Sequence, residues 1–350
     1  QQAFMVCFIM YKKLFHLVLL FLICGSLRAQ AAVILQYHHV SETLPAVTSV
    51  SANTFTKHLN YLKEHNFNVI PLNELISTLQ QGKALEHKTI AITFDDGYNN
   101  NYDQAAPILE KFGYPYTIFV NPKLIDEQAG YVMGWDKLRE LAKKGALIAN
   151  HSAEHNYLHK KRENETPSQW RERTKKDILS SQQRIKEEIG HDYKYLAYPY
   201  GEFNNQLQAL VTELGFIGIG QHSGAVNQHS NFSRLPRFPA SGFYSKLETL
   251  ITKINSTAFT INKLTYKDSV TSQNPPSLTI KLETNDFHKS QFACYVSSVG
   301  QANLNWLDDN TVEVTSPKQL NKGRSRFNCT APSIKQTGSY YWFSQPWVIN

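Results

Sequence analysis

The 350-residue chain has no internal repeat, no low-complexity tract and no apolar run of the about twenty residues that a membrane-spanning helix needs. Its one sustained apolar stretch, Leu14 to Cys24, is too short. Lys12-Lys13 precede it, and Gly25-Ser26-Leu27-Arg28 with Ala29-Gln30-Ala31 follow. Together these give the charged, apolar and small-residue regions of a secretory signal cleaved after Ala31. Gln1 is no initiator, so translation is expected to start at Met5 or Met10, and residues 1–31 read as a signal peptide with an upstream extension. Cys24 follows Ile23 rather than a small residue, which argues against a lipid anchor. The expected product is exported, periplasmic or secreted, monomeric and without a stable membrane span.

Cysteine is scarce, with four in the whole chain and only Cys294 and Cys329 beyond the signal. In an oxidising compartment two such residues form one disulfide, worth about 3–4 kcal/mol by loop closure; two buried thiols are the other reading. A dense cationic tract is missing as well, although the net charge is +7. Lys and Arg are dispersed, and the densest run, Lys160-Lys161-Arg162, is followed by Glu163 and Glu165. That pattern speaks against nucleic acid as a partner and fits attraction to an anionic envelope or polysaccharide.

What is present is a long alternation of short apolar runs with amphipathic stretches. Strands are expected at 33–37, 68–70, 89–94, 116–120, 146–150, 195–198 and 216–219, with helices at 55–65, 72–80, 102–112, 136–144, 167–189 and 205–214. Repeated strand then helix predicts a parallel barrel or wound sheet, whose functional groups gather at the C-terminal strand ends. After about Lys263 the texture changes to short alternating segments (277–282, 292–296, 311–314, 339–343) parted by turns such as Asn274-Pro275-Pro276. These predict a small antiparallel β-sandwich holding the disulfide. Its aromatics, Trp306, Tyr340, Tyr341, Trp342 and Trp347, suit either core packing or stacking on sugars.

Within that frame, Thr93-Phe94-Asp95-Asp96-Gly97-Tyr98 sets two adjacent carboxylates at a strand end. Neighbouring strand residues face opposite ways, and two like charges buried together are costly without a cation. One carboxylate for a metal and one for a base resolves this; an ordinary Asp-Gly turn is the plain alternative. About 55 residues downstream, His151-Ser152-Ala153-Glu154-His155 follows another apolar strand. Two imidazoles four apart share one face of a helical turn and can reach one divalent ion. His38 follows the first strand and Tyr198-Pro199-Tyr200-Gly201 the sixth.

Taken in order, Thr-Phe-Asp-Asp-Gly-Tyr, His-Ser-x-x-His and the strand ending in Tyr-Pro-Tyr-Gly resemble the polysaccharide deacetylase family, carbohydrate esterase family 4. The early Leu35-Gln36-Tyr37-His38-His39 resembles the rearranged pattern of its poly-β-1,6-N-acetylglucosamine deacetylases. The resemblance, which covers most of residues 33–240, implies a distorted (β/α) barrel for the deacetylase domain expected over 32–260; the β-sandwich-like segment over 261–350 is expected as an accessory domain. It also implies a hydrolase that removes acetyl groups from an N- or O-acetylated polysaccharide. Asp96, His151 and His155 would bind one divalent metal, zinc first, with cobalt, nickel or iron also suited. Asp95 would be the general base, His38 or His222 the acid, and Arg237 the replacement for the Arg missing from Ala197-Tyr198-Pro199. Tyr200, Tyr198 and Trp135 would serve the oxyanion or the sugar, with Trp135 also starting a helix. Two other readings stay open. His151-x-x-Glu154-His155 fits a zinc peptidase motif, which needs a helix and Glu154 as base, and a non-catalytic carbohydrate-binding protein would need none of the catalytic groups.

Overall fold

The computed structural model describes residues 31–350, so the expected signal segment up to Gln30 lies outside the described residues. The strands of the first sheet are β1 (Ala32–Tyr37), β2 (Asn68–Val69), β3 (Thr89–Phe94), β4 (Thr117–Val120), β5 (Leu147–Asn150), β6 (Tyr195–Ala197), β7 (Ile217–Ile219) and β8 (Phe238–Pro239). They lie in the order β8-β1-β3-β4-β5-β6-β7, with β2 also on β3, and every pairing is parallel. Residues 232–239 curl the sheet toward closure: Gly218 donates to the Phe232 carbonyl and accepts from the Leu235 N–H, Gly220 donates to the Leu235 carbonyl, and Phe238 pairs with Leu35 of β1. The result is a distorted barrel. Phe238–Pro239, only two residues long and containing proline, carried no strand signal.

Side-chain alternation along the strands builds two apolar layers. Val33, Leu35 and Tyr37 of β1, with Ile90, Ile92 and Phe94 of β3, pack under α1 (Ala52–Glu64), α3 (Ala106–Phe112) and α5 (Trp135–Lys143). Ala32 and Ile34, with Ala91, Phe119 and Ala197, form a second cluster joined by the leucines of α2 (Leu72–Gln80). Each fully buried side chain of this size contributes about 1.5–3 kcal/mol. Of the remaining helices, α4 (Pro122–Asp126) and α8 (Leu247–Ile254) were too short to stand out, and α7 spans Asn205–Glu213. α6 (Pro167–Ile189) is set by a Thr166/Gln169 capping box, proline in its first turn and a left-handed Gly190 at its end. Among the described residues no helix is long and apolar enough to cross a membrane.

The C-terminal part is all β. One sheet runs β9 (Thr257–Ala258), β18 (Tyr340–Ile349), β17 (Gly323–Pro332), β13 (Ala293–Val296), β14 (Gly300–Gln301), with β11 (Val270–Thr271) also on β18. The other runs β10 (Ile261–Thr265), β12 (Ser277–Leu282), β16 (Thr311–Thr315), β15 (Asn303–Trp306). Residues such as Leu278, Ile280, Val312, Phe327 and Trp347 fill the core of this part, which is sandwich-like as expected. Two features depart from the expectation: β9 and β11 join β18 in parallel, and β17, polar at its start, is a full ten-residue strand. Cys294 and Cys329 are register partners on β13 and β17 and form the disulfide.

Lys253 of α8 is buried, donates to the Pro239 carbonyl at 2.8 Å, and is pushed down to about 7 by burial and then by Arg326. The unfolded chain, with an ordinary lysine pKa, holds one more proton than the native state between about pH 7 and pH 10. Native stability therefore gains with rising pH through that window. Denaturant titrations of the wild type and Lys253→Met from pH 7 to 10 should show the variant's relative advantage shrinking as pH rises; a gap independent of pH would contradict the burial account.

Candidate metal and hydrolytic site

β3 is buried throughout, and Asp95 extends its pairing by donating its N–H to the Tyr37 carbonyl at 3.0 Å. The chain then turns sharply through left-handed Asp96 (φ 71°) and Gly97 (φ 64°). A Cβ on Gly97 would meet Val120 Cγ1 at 3.0 Å, so both the backbone angle and the close approach call for glycine. This turn separates the two carboxylates.

Asp95 faces inward with Gln36 and Thr93, in a polar layer above the apolar interior, and is fully buried. Arg237 grips it with both terminal nitrogens, Nη1 to Oδ1 at 2.7 Å and Nη2 to Oδ2 at 2.8 Å. Gln36 donates to Oδ2 at 2.6 Å. Arg237 is itself fixed by Nε to the Gly220 carbonyl (2.8 Å) and Nη1 to Thr93 Oγ1 (3.1 Å). Burial alone would push the Asp95 carboxyl up, but the Arg237 guanidinium outweighs it and holds the pKa at about 2. His38, partly exposed, brings Nε2 to 4.0 Å from Asp95 Oδ2.

Asp96 meets the two imidazoles instead. Its Oδ1 lies 3.3 Å from His151 Nε2 and 3.2 Å from His155 Nε2. His151 is fully buried and its Nδ1–H donates to the Ala197 carbonyl at 2.8 Å, which leaves a lone pair on Nε2; that nitrogen has no hydrogen-bond partner. Burial pushes His155 down to about 4, so it too offers a lone pair. Despite its burial, Asp96 is held far below the usual carboxylate range, chiefly by His151. Three ligand atoms within 4.8 Å of one another, one on an imidazole oriented by a backbone carbonyl, fit a divalent cation.

The sequence expectation of a helical turn at 151–155 is corrected. Ser152 (φ 67°) and His155 (φ 59°) are left-handed, and the segment is a loop. Asn121 Nδ2 donates to the carbonyls of His151 and Ser152, Asn150 Oδ1 accepts from Ser152 N, and Asp177 Oδ1 accepts from Ala153 N. Glu154 is paired with Lys123 and Asn156 rather than placed as a base, so the peptidase geometry is not formed. With Asp96 and Tyr200 (φ 61°), four of the nine non-glycine residues with positive φ among the described residues sit here. Strain of this kind concentrates at functional sites.

Tyr200, in a 3₁₀ turn over Pro199–Gly201, stands its ring edge-on to His155 at 4.5 Å and stacks on Tyr157 at 4.0 Å. Tyr198 does not open toward this space: it is fully buried and its hydroxyl donates to the Ser233 carbonyl, which makes it a packing residue. Trp135 does start α5, but its indole donates to Asp126 and lies under Arg184, so the sugar-facing expectation is corrected. The His222 ring is buried beside Phe203, and burial with the nearby Arg234, Arg326 and Arg237 keeps it neutral. An imidazole kept out of its imidazolium form there is poorly placed as a general acid; the His222 backbone carbonyl instead accepts the Arg237 backbone N–H at 2.9 Å.

Gln36, Asn121, Asn150 and Asp177 were not read as site residues from the sequence. Gln36 had a usable signal, a polar residue at an inward position of an apolar strand, and Asn121 and Asn150 directly follow or end strands. Asp177, on a long polar helix, had none.

A polysaccharide deacetylase family model matches residues 82–219, a span that includes Asp95, Asp96, His151, His155 and the 198–201 turn but not His38 or Arg237. The chain is 26% identical over 218 residues to a poly-β-1,6-N-acetyl-D-glucosamine N-deacetylase of Staphylococcus aureus (strain COL), covering 57% of this chain and 74% of that one. The fold is similar to that of the Streptococcus pyogenes deacetylase PplD in complex with acetate (TM-score 0.58, 19% identity, 64% of this chain, 98% of that). It is also similar to that of IcaB from Ammonifex degensii (TM-score 0.56, 21% identity, 65% and 97%). Residues 82–219 thus match the polysaccharide deacetylase family, and the motifs, the fold and the buried Asp-His-His cluster agree with a domain of that kind.

Proposed function

We propose that this protein is a metal-dependent hydrolase that removes acetyl groups from an exported polysaccharide, N-acetylated sugars being the first candidates. The observation that carries the reading is the separation of roles at one strand end: Asp96 converges with two imidazoles, whereas Asp95 is locked to a guanidinium. Asp96, His151 and His155 would hold one divalent ion, zinc first, with cobalt, nickel or iron as alternatives. When bound, that ion lowers the pKa of water and polarises an acyl carbonyl.

The chain's own residues supply the rest. Asp95, kept ionised by Arg237, accepts the proton of the attacking water. Gln36 and Arg237 occupy most of its lone-pair directions and leave a single open approach, from the side where His38 lies. A base with so little proton affinity removes a proton only from water that is already acidified, which ties its action to the adjacent triad. His38, at the rim and within reach of the same space, donates the proton that the leaving amine needs. The Tyr200 N–H, in a backbone turn held rigidly against His155, is the donor assigned to the developing oxyanion. On this reading residues 32–260 are the catalytic domain and 261–350 the accessory one.

The test is acetate release by the purified chain from acetylated oligosaccharides and polymers: β-1,4- and β-1,6-linked N-acetylglucosamine, peptidoglycan and acetylxylan. Release that a chelator stops is expected from at least one of them, and release indifferent to chelation would sink the proposal.

A further inference from the structure

A sizeable cleft lies away from Asp95. It is a space of about 900 Å³ between α7 and the second sheet, walled on one side by Gln208 and Ala209 and on the other by Tyr266 and Trp342. It exists only because the two parts of the chain are docked. Buried Arg234 ties them, donating to Tyr266 and Gln345 side chains at 3.0 and 2.8 Å and to the Ser344 carbonyl at 3.3 Å, and Asn205 N donates to Asp268. Only the 234–237 segment separates this cleft from the base: Pro236 lines it while Arg237, the next residue, turns inward to Asp95.

Three properties of the lining narrow what it would take. Its size is that of a pocket for a ligand of several hundred daltons. Its polar groups are predominantly amides and hydroxyls. Of its charged side chains, Glu213 is paired with Arg171, and buried Arg234 directs its terminal nitrogens to the neutral Tyr266, Gln345 and Ser344 oxygens across the joint, so its donors are turned to the protein itself. Half-buried Trp342 is fixed edge-on to Phe238 at 5.2 Å, with its Nε1 on Ser344, and presents a rigid aromatic surface at little entropic cost. Hydroxyls and amides with held aromatic rings, beside a guanidinium whose donors are engaged within the protein, suit the hydroxyl edges and C–H faces of an uncharged sugar chain.

We propose that this interdomain cleft is a second carbohydrate-binding site, for an uncharged segment of three to four sugar units, distinct from the site around Asp96. The identity of that segment as part of the acetylated polymer rests on the function proposed above; the cleft's sugar chemistry does not. The probes are tetrasaccharides of β-1,4- and β-1,6-linked N-acetylglucosamine and xylotetraose, titrated calorimetrically into the full chain. Ala209→Trp fills the cleft from an exposed helix position that tolerates substitution, and Trp342→Ala removes the aromatic surface. At least one probe should bind, with affinity reduced tenfold or more in Ala209→Trp. Trp342→Ala, provided its circular dichroism matches the wild type, should show the same loss. KM for the corresponding polymer should rise by a similar factor with kcat on 4-nitrophenyl acetate unchanged. Binding lost in the variants without acetate release from any substrate would keep the cleft and discard the deacetylase reading. No binding of any probe, or equal binding in Ala209→Trp, would overturn the cleft proposal whatever the catalytic result.

Discussion

Asp95→Asn is expected to lower kcat about a thousandfold while the protein keeps its equivalent of metal, and Asp96→Asn to lose the metal and the turnover together. The two carboxylates are adjacent in sequence, yet their surroundings give them opposite tasks. Asp96 shares one oxygen with two imidazole nitrogens, and its carboxylate is the single negative charge in that donor set. An amide there keeps the left-handed turn, which asparagine tolerates, but removes the charge that draws a cation. Asp95 contacts no imidazole at ligand distance; its oxygens are spent on Arg237 and Gln36. Metal analysis and acetate release on the same preparations check the division. Loss of metal in Asp95→Asn would show that the pair acts as one ligand unit.

Arg237→Met should cost about 3–5 kcal/mol of folding stability and abolish most of the turnover, because it strands a buried carboxylate without its cationic partner. Both partners are fully buried, so removing the guanidinium removes the interaction that keeps Asp95 ionised, and burial then pushes its pKa up. A neutral Asp95 can no longer accept a proton. Lysine is a poor substitute, since it cannot bond both oxygens and Thr93 with one planar fork. The double variant Arg237→Met with Asp95→Asn should regain part of the stability, the unpaired charge being gone, and none of the activity. Urea titrations and acetate release separate these outcomes; a double variant less stable than Arg237→Met by the full Asp95→Asn cost would contradict a charge-based penalty.

Much of the barrel was legible because burial and periodicity coincide. β3 occupies the residues expected of it, and α6 spans its whole expected range because caps and proline mark both ends. Segments that sheet closure alone makes into strands were not legible: Phe238–Pro239 has no local preference for its conformation and exists because β1 offers it an edge. The same holds for β17, whose Gly323-Arg324-Ser325-Arg326 start looks like a loop until β18 pairs with it. At the site, the donor types at the strand ends were readable, but the backbone that aims them was not. Spacing of four suggested a helix at 151–155, whereas Asn121, Asn150 and Asp177, remote in sequence, impose a left-handed loop. Tyr198 shows the converse error: motif position suggested substrate contact, and packing against the 203–216 segment claims it.

The central claim is that one divalent ion held by Asp96, His151 and His155 is needed for hydrolysis with Asp95 as base. Its most direct test is to strip the purified chain with a chelator and titrate zinc back while measuring bound metal and acetate release on the same sample. The release rate should be at background in the stripped protein, rise in proportion to bound zinc, and saturate at one equivalent. Undiminished release from the metal-free protein, or a rate that rises only with a second equivalent, would contradict the account.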